Sequence, residues 1–391
     1  MPKKTSRRVL MLTHGPFPPD IRIEKEAIAL VQTGYEVTVV ANSKMTQKHV
    51  EDYRGIKVTY LKMRSFRGIY IAGISDLLKI ARHFNPDVIH VHDIPMAPYA
   101  TIVARILNCK EILDLHEIWS YLQLSSAVNR ILRYLAFAAF FIVEVVCVHS
   151  AHIIIGVVEE ASEEISRIYR IDKHKISVIM NLASFNDFDG VQTLRDSALE
   201  GRFVVTYVGG IERLRGLETA FRALEYLNDL DDLIFVIVGG ERRRDGPRRT
   251  ELERLVRSLR VRDKVYLTGW LPFKTAMSYI ARSDICLLPH DRTRLTDRGL
   301  PHKVTQYMYF GKPVISNSLK PIVRLFGEAV VVYEGSSIDL ANAVRKVYFD
   351  RELRAVLAQK GKELILTKYN WDSEKQKLLT LYERLSSDLN K

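Results

Sequence analysis

Along the first 180 residues, short apolar runs alternate with stretches in which apolar positions recur every three or four residues. RRVLMLT is an apolar strand that runs into the Gly/Pro loop HGPFPPD. The stretch from Ile21 to Thr33 carries Glu24, Lys25 and Glu26 between apolar positions and predicts a helix, and EVTVVA after Gly34 is a second strand. Strand, loop, helix, strand is one parallel unit. The pattern recurs through IKVTYL, a helix near Ile74 to Phe84, DVIHVHD, a helix near Ala97 to Leu107, and KEILDLHE. A long apolar segment from Tyr134 to Val157, containing HIIIGV, and a helix from Glu159 complete it. This alternation predicts a doubly wound sheet whose ligands lie at the carboxyl ends of its strands.

Periodicity weakens over residues 181–202, NLASFNDFDGVQTLRDSALEGR, and predicts a linker, assigned to 186–202 between a first domain at 1–185 and a second at 203–370. Residues 371–391 form a last helix, expected to pack back towards the first domain. Beyond the linker the alternation restarts: FVVTYVGG, a helix from Leu217, LIFVIVGG, a helix from Thr250, KVYLTGW, a helix from Lys274, DICLLPH, and AVVVY before three helical segments. Gly209-Gly210 and Gly239-Gly240 end two of these strands, where bare backbone lets a ligand approach closely. Neither pair belongs to a GxGxxG fingerprint, which weighs against a dinucleotide oxidoreductase. The expected fold class is α/β, with two Rossmann-like doubly wound domains facing each other across a cleft.

Residues 297–315, DRGLPHKVTQYMYFGKPVI, form a loop, a helix opened by Pro301 and closed by Gly311, and a short buried strand around Val314. A helix start presents unpaired N–H groups and the positive end of the dipole, which suits an anion. Lys303 adds a charge to that end, and Gln306, one turn on, adds an amide. An ordinary crossover helix with a solvated lysine is the plain alternative.

Size and charge refine this picture. A chain of 391 residues exceeds what one core supports, and its 47% hydrophobic residues suffice for two. Cys109, Cys147 and Cys286 lie far apart with no CxxC spacing, so neither zinc site nor disulfide framework is expected, and a reducing, cytoplasmic compartment fits. The basic start MPKKTSRR is not followed by a long apolar region, so no secretory signal is expected. Of the +12 net charge, a local surplus falls in residues 44–82, from Lys44 to Arg82. It suits an anionic partner, either a membrane surface, such as the inner face of the cell membrane, or a polyanion; no nucleic acid is expected.

Two features bear on metals and membranes. His90 and His92, two apart on a strand, share a face, but without further clustered ligands in the sequence they are expected to be polar strand-end groups. The segment from Tyr134 to Val157 is long enough to span a bilayer, yet Glu144 would lie near its middle, so a buried helix followed by a turn and a strand is expected. Peripheral attachment fits the helix Ile74 to Phe84 better, whose stripe of Ile74, Leu77, Leu78, Ala81 and Phe84 has Lys79 and Arg82 beside it. The alternative is that this stripe packs on the sheet.

Taken together, HGPFPPDIRIEKEAIAL, GYEVTVVA, DVIHVHD, DLHE, YVGGIERLRGL, FVIVGG, VYLTGWLP and LPHKVTQYMYFGKPVIS resemble, in order and over nearly the whole chain, the GT-B glycosyltransferases of family 4. These are mostly retaining enzymes that use nucleotide-sugar donors. The resemblance implies that the loop at His14 and Gly15 closes over donor or acceptor, that His116 lies beside the transferred sugar, and that Arg215, in place of the commoner lysine, neutralises the donor diphosphate. Lys303 and the helix start at Pro301 would support the same phosphates, with Gly209, Gly210 and Gly240 lining the donor, and Trp270 and Leu271 would run along the nucleobase through their backbone.

Two departures stand out. The family's glutamate, seven residues, glutamate pattern is replaced by Arg298 and Gln306, and Gly210 stands where many relatives carry an arginine. Gln306 can still bond a ribose diol; Arg298 cannot accept a hydrogen bond. The expected activity is sugar transfer from a nucleotide diphosphate to a glycan or lipid-linked acceptor, with no cofactor and no metal, since the protein supplies the countercharge. The alternatives are a catalytically silent GT-B protein that binds a nucleotide sugar or a protein partner, or a sugar-nucleotide epimerase on similar domains.

Overall fold

A computed structural model describes residues 7–18, 20–43, 50–66, 69–116, 118–120, 130–240 and 246–388. The chain forms two compact units: residues 1–180 together with 375–391, and residues 181–374.

The first unit is built on an eight-stranded sheet of order β10-β9-β8-β7-β1-β2-β4-β3. Its strands are β1 (Arg8–Thr13), β2 (Glu36–Asn42), β3 (Asp52–Tyr53), β4 (Ile56–Leu61), β7 (Val88–His92), β8 (Lys110–Leu115), β9 (Ile153–Gly156) and β10 (Ile176–Val178), with β5 (Met63–Phe66) and β6 (Ile69–Ala72) forming a separate hairpin. All pairs are parallel except β3 with β4 and β5 with β6. The central strands read as near-continuous apolar runs because helices cover both faces. Those helices are α1 (Ile21–Gln32), α2 (Ile74–Phe84), α3 (Ala97–Leu107), α4 (Arg130–Ser150) and α5 (Glu159–Tyr169). Asp20 caps α1, its carboxylate accepting from the Arg22 and Ile23 amides at 3.1 Å.

The second unit is a wholly parallel sheet of order β13-β12-β11-β14-β15-β16, from β11 (Phe203–Val208), β12 (Leu233–Val238), β13 (Val265–Gly269), β14 (Ile285–Leu288), β15 (Val314–Asn317) and β16 (Val330–Tyr333). Its helices are α6 (Leu217–Ala223), α7 (Pro247–Ser258), α8 (Phe273–Arg282), α9 (Lys303–Tyr309), α10 (Lys320–Phe326), α11 (Ser337–Phe349) and α12 (Arg351–Thr367), followed by α13 (Trp371–Asp388), most of which belongs to the first unit.

Three segments differ from the sequence reading. The expected linker is folded against the second unit: Lys274 donates to the Asp189 carbonyl at 3.0 Å, the Leu194 amide to Ser278 at 3.3 Å, and Phe188 stacks near Phe273 and Tyr309. Its weak periodicity reflects packing by isolated anchor residues, without a regular element. On α2, Leu77, Ala81 and Phe84 are buried in the core and Leu78 packs against it, while Ile74 is exposed, so most of this stripe packs on the sheet. Finally, α4, expected to be buried, leaves Ile131, Leu135 and Ile142 more than 60% exposed.

Candidate active site

In each sheet the order of the parallel strands reverses once, and a doubly wound sheet holds its ligands at the carboxyl ends of the strands beside that reversal. In the second unit the reversal lies between β11 and β14. Gly209 and Gly210 leave β11 there, and Pro289 and His290 leave β14. Gly239 follows β12 and bridges Gly269 at the end of β13. Gly239 has φ 131°, and a Cβ on it would strike the Gly209 carbonyl. Gly216, at φ 68°, is equally obligatory, because a Cβ would strike the Pro289 carbonyl. These contacts bring the chain leaving β11 against that leaving β12, and α6's start against the end of β14.

Two cations project into this region. Lys303 opens α9, which Tyr307 ties to β11: its hydroxyl accepts from the Val208 amide at 2.9 Å. The Lys303 ammonium is buried, donates to the Tyr207 hydroxyl at 2.7 Å, lies 4.3 Å from that ring, and sits over Gly209. Burial, and then Arg215, pull its pKa down to about 7. Arg215 is about 40% exposed, pairs with Glu212 at 3.3 Å, and donates to His290 Nε2 at 3.1 Å. His290 is held neutral, its pKa pushed down to about 2 by burial and by Lys303, Arg215 and His302. A neutral imidazole can accept from the guanidinium, so His290 steers Arg215.

The helix start differs from expectation. Pro301 lies two residues before α9, and Lys303 is its first residue. The Val304 and Thr305 amides already bond the Pro301 and His302 carbonyls at 3.1 and 3.2 Å. With those donors used, the Lys303 ammonium carries the positive end of this seven-residue helix. Gly311 closes it as expected: at φ 63°, its amide bonds Met308 O and that of Lys312 bonds Tyr307 O. Gln306 is buried one turn after Lys303, and Arg298 is half-buried at the end of the turn Thr296–Arg298. Gly240 approaches the Trp270 amide, the Trp270 side chain is 66% exposed, and Leu271 is half-buried.

In the first unit the reversal lies between β1 and β7. Gly15 follows β1, its amide donating to Thr13 Oγ1 at 3.1 Å and its carbonyl accepting from the Asn42 amide. Asp93 follows β7 at φ 66°, and His116 follows β8. His116 lies between two carboxylates, Nδ1 at 3.2 Å from Asp93 and Nε2 at 3.4 Å from Asp114. Burial opposes its charge, but Asp93 and Asp114 outweigh it and hold the imidazolium well above the usual histidine range. Arg22 reaches from α1 to grip Asp114 with two bonds of 2.8 and 3.0 Å and the Ile179 carbonyl with a third. Glu26, His90 and His92 complete the cluster, and His90 Nδ1 meets the Tyr382 hydroxyl of α13 at 2.8 Å. Glu26, His90, His92 and Asp114 each bring a ligand-type atom within 4.8 Å of the others. The Arg22 guanidinium, 3.2 Å from Glu26 and 2.8 Å from Asp114, already faces both carboxylates.

Sequence reasoning named Arg215, Lys303 and His116 as candidates but not the groups that set their state. Tyr207 and His290 were visible only as residues near strand ends, and Arg22 and Asp114 only as members of longer motifs.

Two family models match the chain. Residues 22–182 match Glycosyltransferase Family 4, and residues 193–364 match Glycosyl transferases group 1. The chain belongs to glycosyltransferase family 4. Alpha-D-kanosaminyltransferase of Streptomyces kanamyceticus is 25% identical over 248 residues, covering 61% of this chain and 62% of that relative. The chain thus spans somewhat under two thirds of the length of this curated relative. Sucrose-phosphate synthase from Thermosynechococcus elongatus superimposes with a TM-score of 0.77 at 16% identity, over 98% of this chain and all of that one. Anabaena HepE in complex with UDP gives 0.73 at 15% identity, over 97% and 100%. The fold of this family member is GT-B.

Proposed function

We propose that this family 4 member is a retaining glycosyltransferase that moves a sugar from a nucleoside diphosphate donor to a glycan or lipid-linked acceptor, in the synthesis of a cell-surface polysaccharide or glycolipid. One observation carries the reading: Lys303 and Arg215 converge at the glycine-bounded strand ends beside the β11/β14 reversal, and the polar partner of Lys303 is a hydroxyl, not a carboxylate. A buried ammonium depressed to about 7 gains its countercharge when a diphosphate arrives. The UDP named for the HepE complex supports the same assignment.

In transfer, the bond between the anomeric carbon and the β-phosphate oxygen breaks, and a bond from that carbon to the acceptor oxygen forms. Negative charge grows on the departing phosphate, and Lys303 and Arg215 interact more strongly with that developing charge than with the ground state, which lowers the barrier. The acceptor's proton passes to the departing phosphate. His116, held as an imidazolium with its two ring nitrogens facing Asp93 and Asp114, is a fixed positive charge and not a general base. The fixed cations make a metal unnecessary in this scheme. Attachment to the inner face of the cell membrane would bring a lipid-linked acceptor within reach.

A thermal-shift panel with UDP, GDP, ADP, CMP and NAD, each with and without magnesium, tests the donor site. A ligand at a hundred times its dissociation constant adds about 2.7 kcal/mol, a shift of several degrees. The reading expects one diphosphate to stabilise the protein independently of magnesium, and Lys303→Met to remove the shift. Silence from every diphosphate, or a response to NAD alone, overturns it. Arg298 and Gln306, in place of two carboxylates, favour a second reading, a protein that binds the donor without turning it over. Release of free sugar from a bound donor in the absence of acceptor decides between the two.

A further inference from the structure

Helix α4 is inverted for a helix of a water-soluble unit. From Tyr134 to Val148 its one charged residue, Glu144, faces inward and is fully buried, its carboxylate accepting from the Ser120 amide at 2.9 Å and the Tyr169 hydroxyl at 2.8 Å. The outward face is apolar. Ile131, Leu135, Ile142 and Val146 are 69, 61, 63 and 56% exposed, with Leu132 and Val143 beside them. Helix α3 packs against α4 and adds Ile102 and Ile106, each about half exposed. Large exposed apolar faces of this kind mark interaction surfaces.

We infer that the α3/α4 face is the surface by which the chain docks on an anionic lipid bilayer. Charge and hydrogen-bonding capacity select this occupant. The last turn of α4 is ringed by cations: Lys175 donates to the His149 carbonyl at 2.7 Å, and Lys110 and Arg105 lie with it around His152. Lys79 and Arg82 are exposed on α2, which packs against α3. Apolar residues flanked by cations match acyl chains beneath anionic headgroups. A protein interface would carry about one hydrogen bond per 100–200 Å², and between Leu135 and Val146 the outward side chains offer no hydrogen-bonding group.

The exposed run from Ile131 to Val146 is about 22 Å long at 1.5 Å per residue. No helix among the described residues is long and apolar enough to cross a membrane, so α4 lies in the plane of the bilayer surface. The inference deepens the membrane attachment included in the proposed function and moves it from α2, most of whose stripe packs on the core, to α4.

The test is co-sedimentation of the full chain with phosphatidylglycerol vesicles and with phosphatidylcholine vesicles, at low and high salt, beside the variant L135E/I142E. Both positions are exposed, so the variant is expected to keep the wild-type melting temperature. The inference expects wild type to sediment with the anionic vesicles, less so at high salt or on neutral lipid, and the variant to lose binding about tenfold or more. Absence of wild-type binding to anionic vesicles at low salt overturns it, as does a variant that binds as well as wild type. So does a wild-type dimer in solution that the variant converts to monomer with vesicle binding unchanged, since the face would then be covered by a second copy. Donor hydrolysis without vesicles, measured on the same variant, reports separately on the sugar-transfer reading, because neither position lies in the donor region.

Discussion

The two units handle buried positive charge in opposite ways. In the first, Arg22 and His116 each face two of the carboxylates Glu26, Asp93 and Asp114, so each cation has its countercharge within the cluster. In the second, Lys303 is equally buried but rests on a phenol hydroxyl and ring, and of its charged neighbours the cation Arg215 outweighs Glu212. Folding alone supplies the countercharges of the first arrangement. The second is satisfied only when an anion enters. A matched cluster holds His116 in one place and one protonation state, whereas an unmatched one leaves a cation to pair with the diphosphate proposed above. The two structures therefore respond differently to the loss of a charge.

The largest effect is expected at Asp114. Asp114→Asn removes the carboxylate that Arg22 grips with two bonds and leaves a buried guanidinium short of countercharge, a loss of about 3–5 kcal/mol. In a unit of this size that lowers the melting temperature by roughly 10 °C, read by calorimetry. Arg22 and His116 hold the Asp114 pKa well below the ordinary carboxylate range although burial opposes them. Its stabilisation is therefore complete above that range and lost as pH falls through the depressed value. An unchanged melting curve for Asp114→Asn would show that the cluster is not neutralised as described.

At Lys303 the same logic predicts loss of function without loss of stability. Lys303→Met exchanges a desolvated ammonium for an apolar chain of similar length, so the melting temperature should hold or rise. Donor turnover should fall by about 10²–10³, the usual cost of removing one group that stabilises charge in a transition state. If turnover survives, the phosphates are held elsewhere. Arg215→Ala should cost less, since that side chain is partly exposed and screened.

A smaller effect follows from protonation. The groups facing Lys303 are Arg215 and Glu212 from the loop after β11, Tyr207 from β11, and His290 with His302 from the other side. With a pKa of about 7 in the free protein, Lys303 is charged below neutrality and uncharged above it. A diphosphate binds the charged form better, so its dissociation constant should be flat below about pH 7 and rise up to tenfold per pH unit above it. Calorimetric titrations across this range, with Lys303→Arg as the variant that stays charged, measure it. A flat profile in the wild type places Lys303 away from the phosphates.

How much of this was legible in the sequence depends on range. The alternation of VLML, VTVV and VIHV with periodic helices announced both sheets because strands buried on two faces must be apolar throughout. The glycines after β11 and β12 announced the ligand end. The state of the cations was not legible, because Lys303 meets Tyr207 from 96 positions away and Arg22 meets Asp114 from 92. No local pattern encodes such pairs. Helix α4 misled for a related reason: apolar composition says that a face avoids water, and only the packed structure tells that Glu144 is turned inward and the isoleucines outward.

The finest test converts the second arrangement towards the first. Gln306 is buried one turn after Lys303 on α9, and residues three apart share a helix face. Gln306→Glu would place a carboxylate near the ammonium, as Asp93 and Asp114 are placed beside His116. The new charge should stabilise protonated Lys303 and move the break in the affinity profile above pH 7 by up to about one unit. Below that break, diphosphate affinity should fall only a few-fold, because the carboxylate opposes the incoming phosphates while Lys303 remains charged. Titrating wild type and variant against the same nucleotide measures both changes. An upward move in the break accompanied by weaker binding fits an ammonium left unmatched for its ligand. If the break stays where it was, Lys303 and residue 306 do not share a field, and Gln306 takes no part in setting the charge of Lys303.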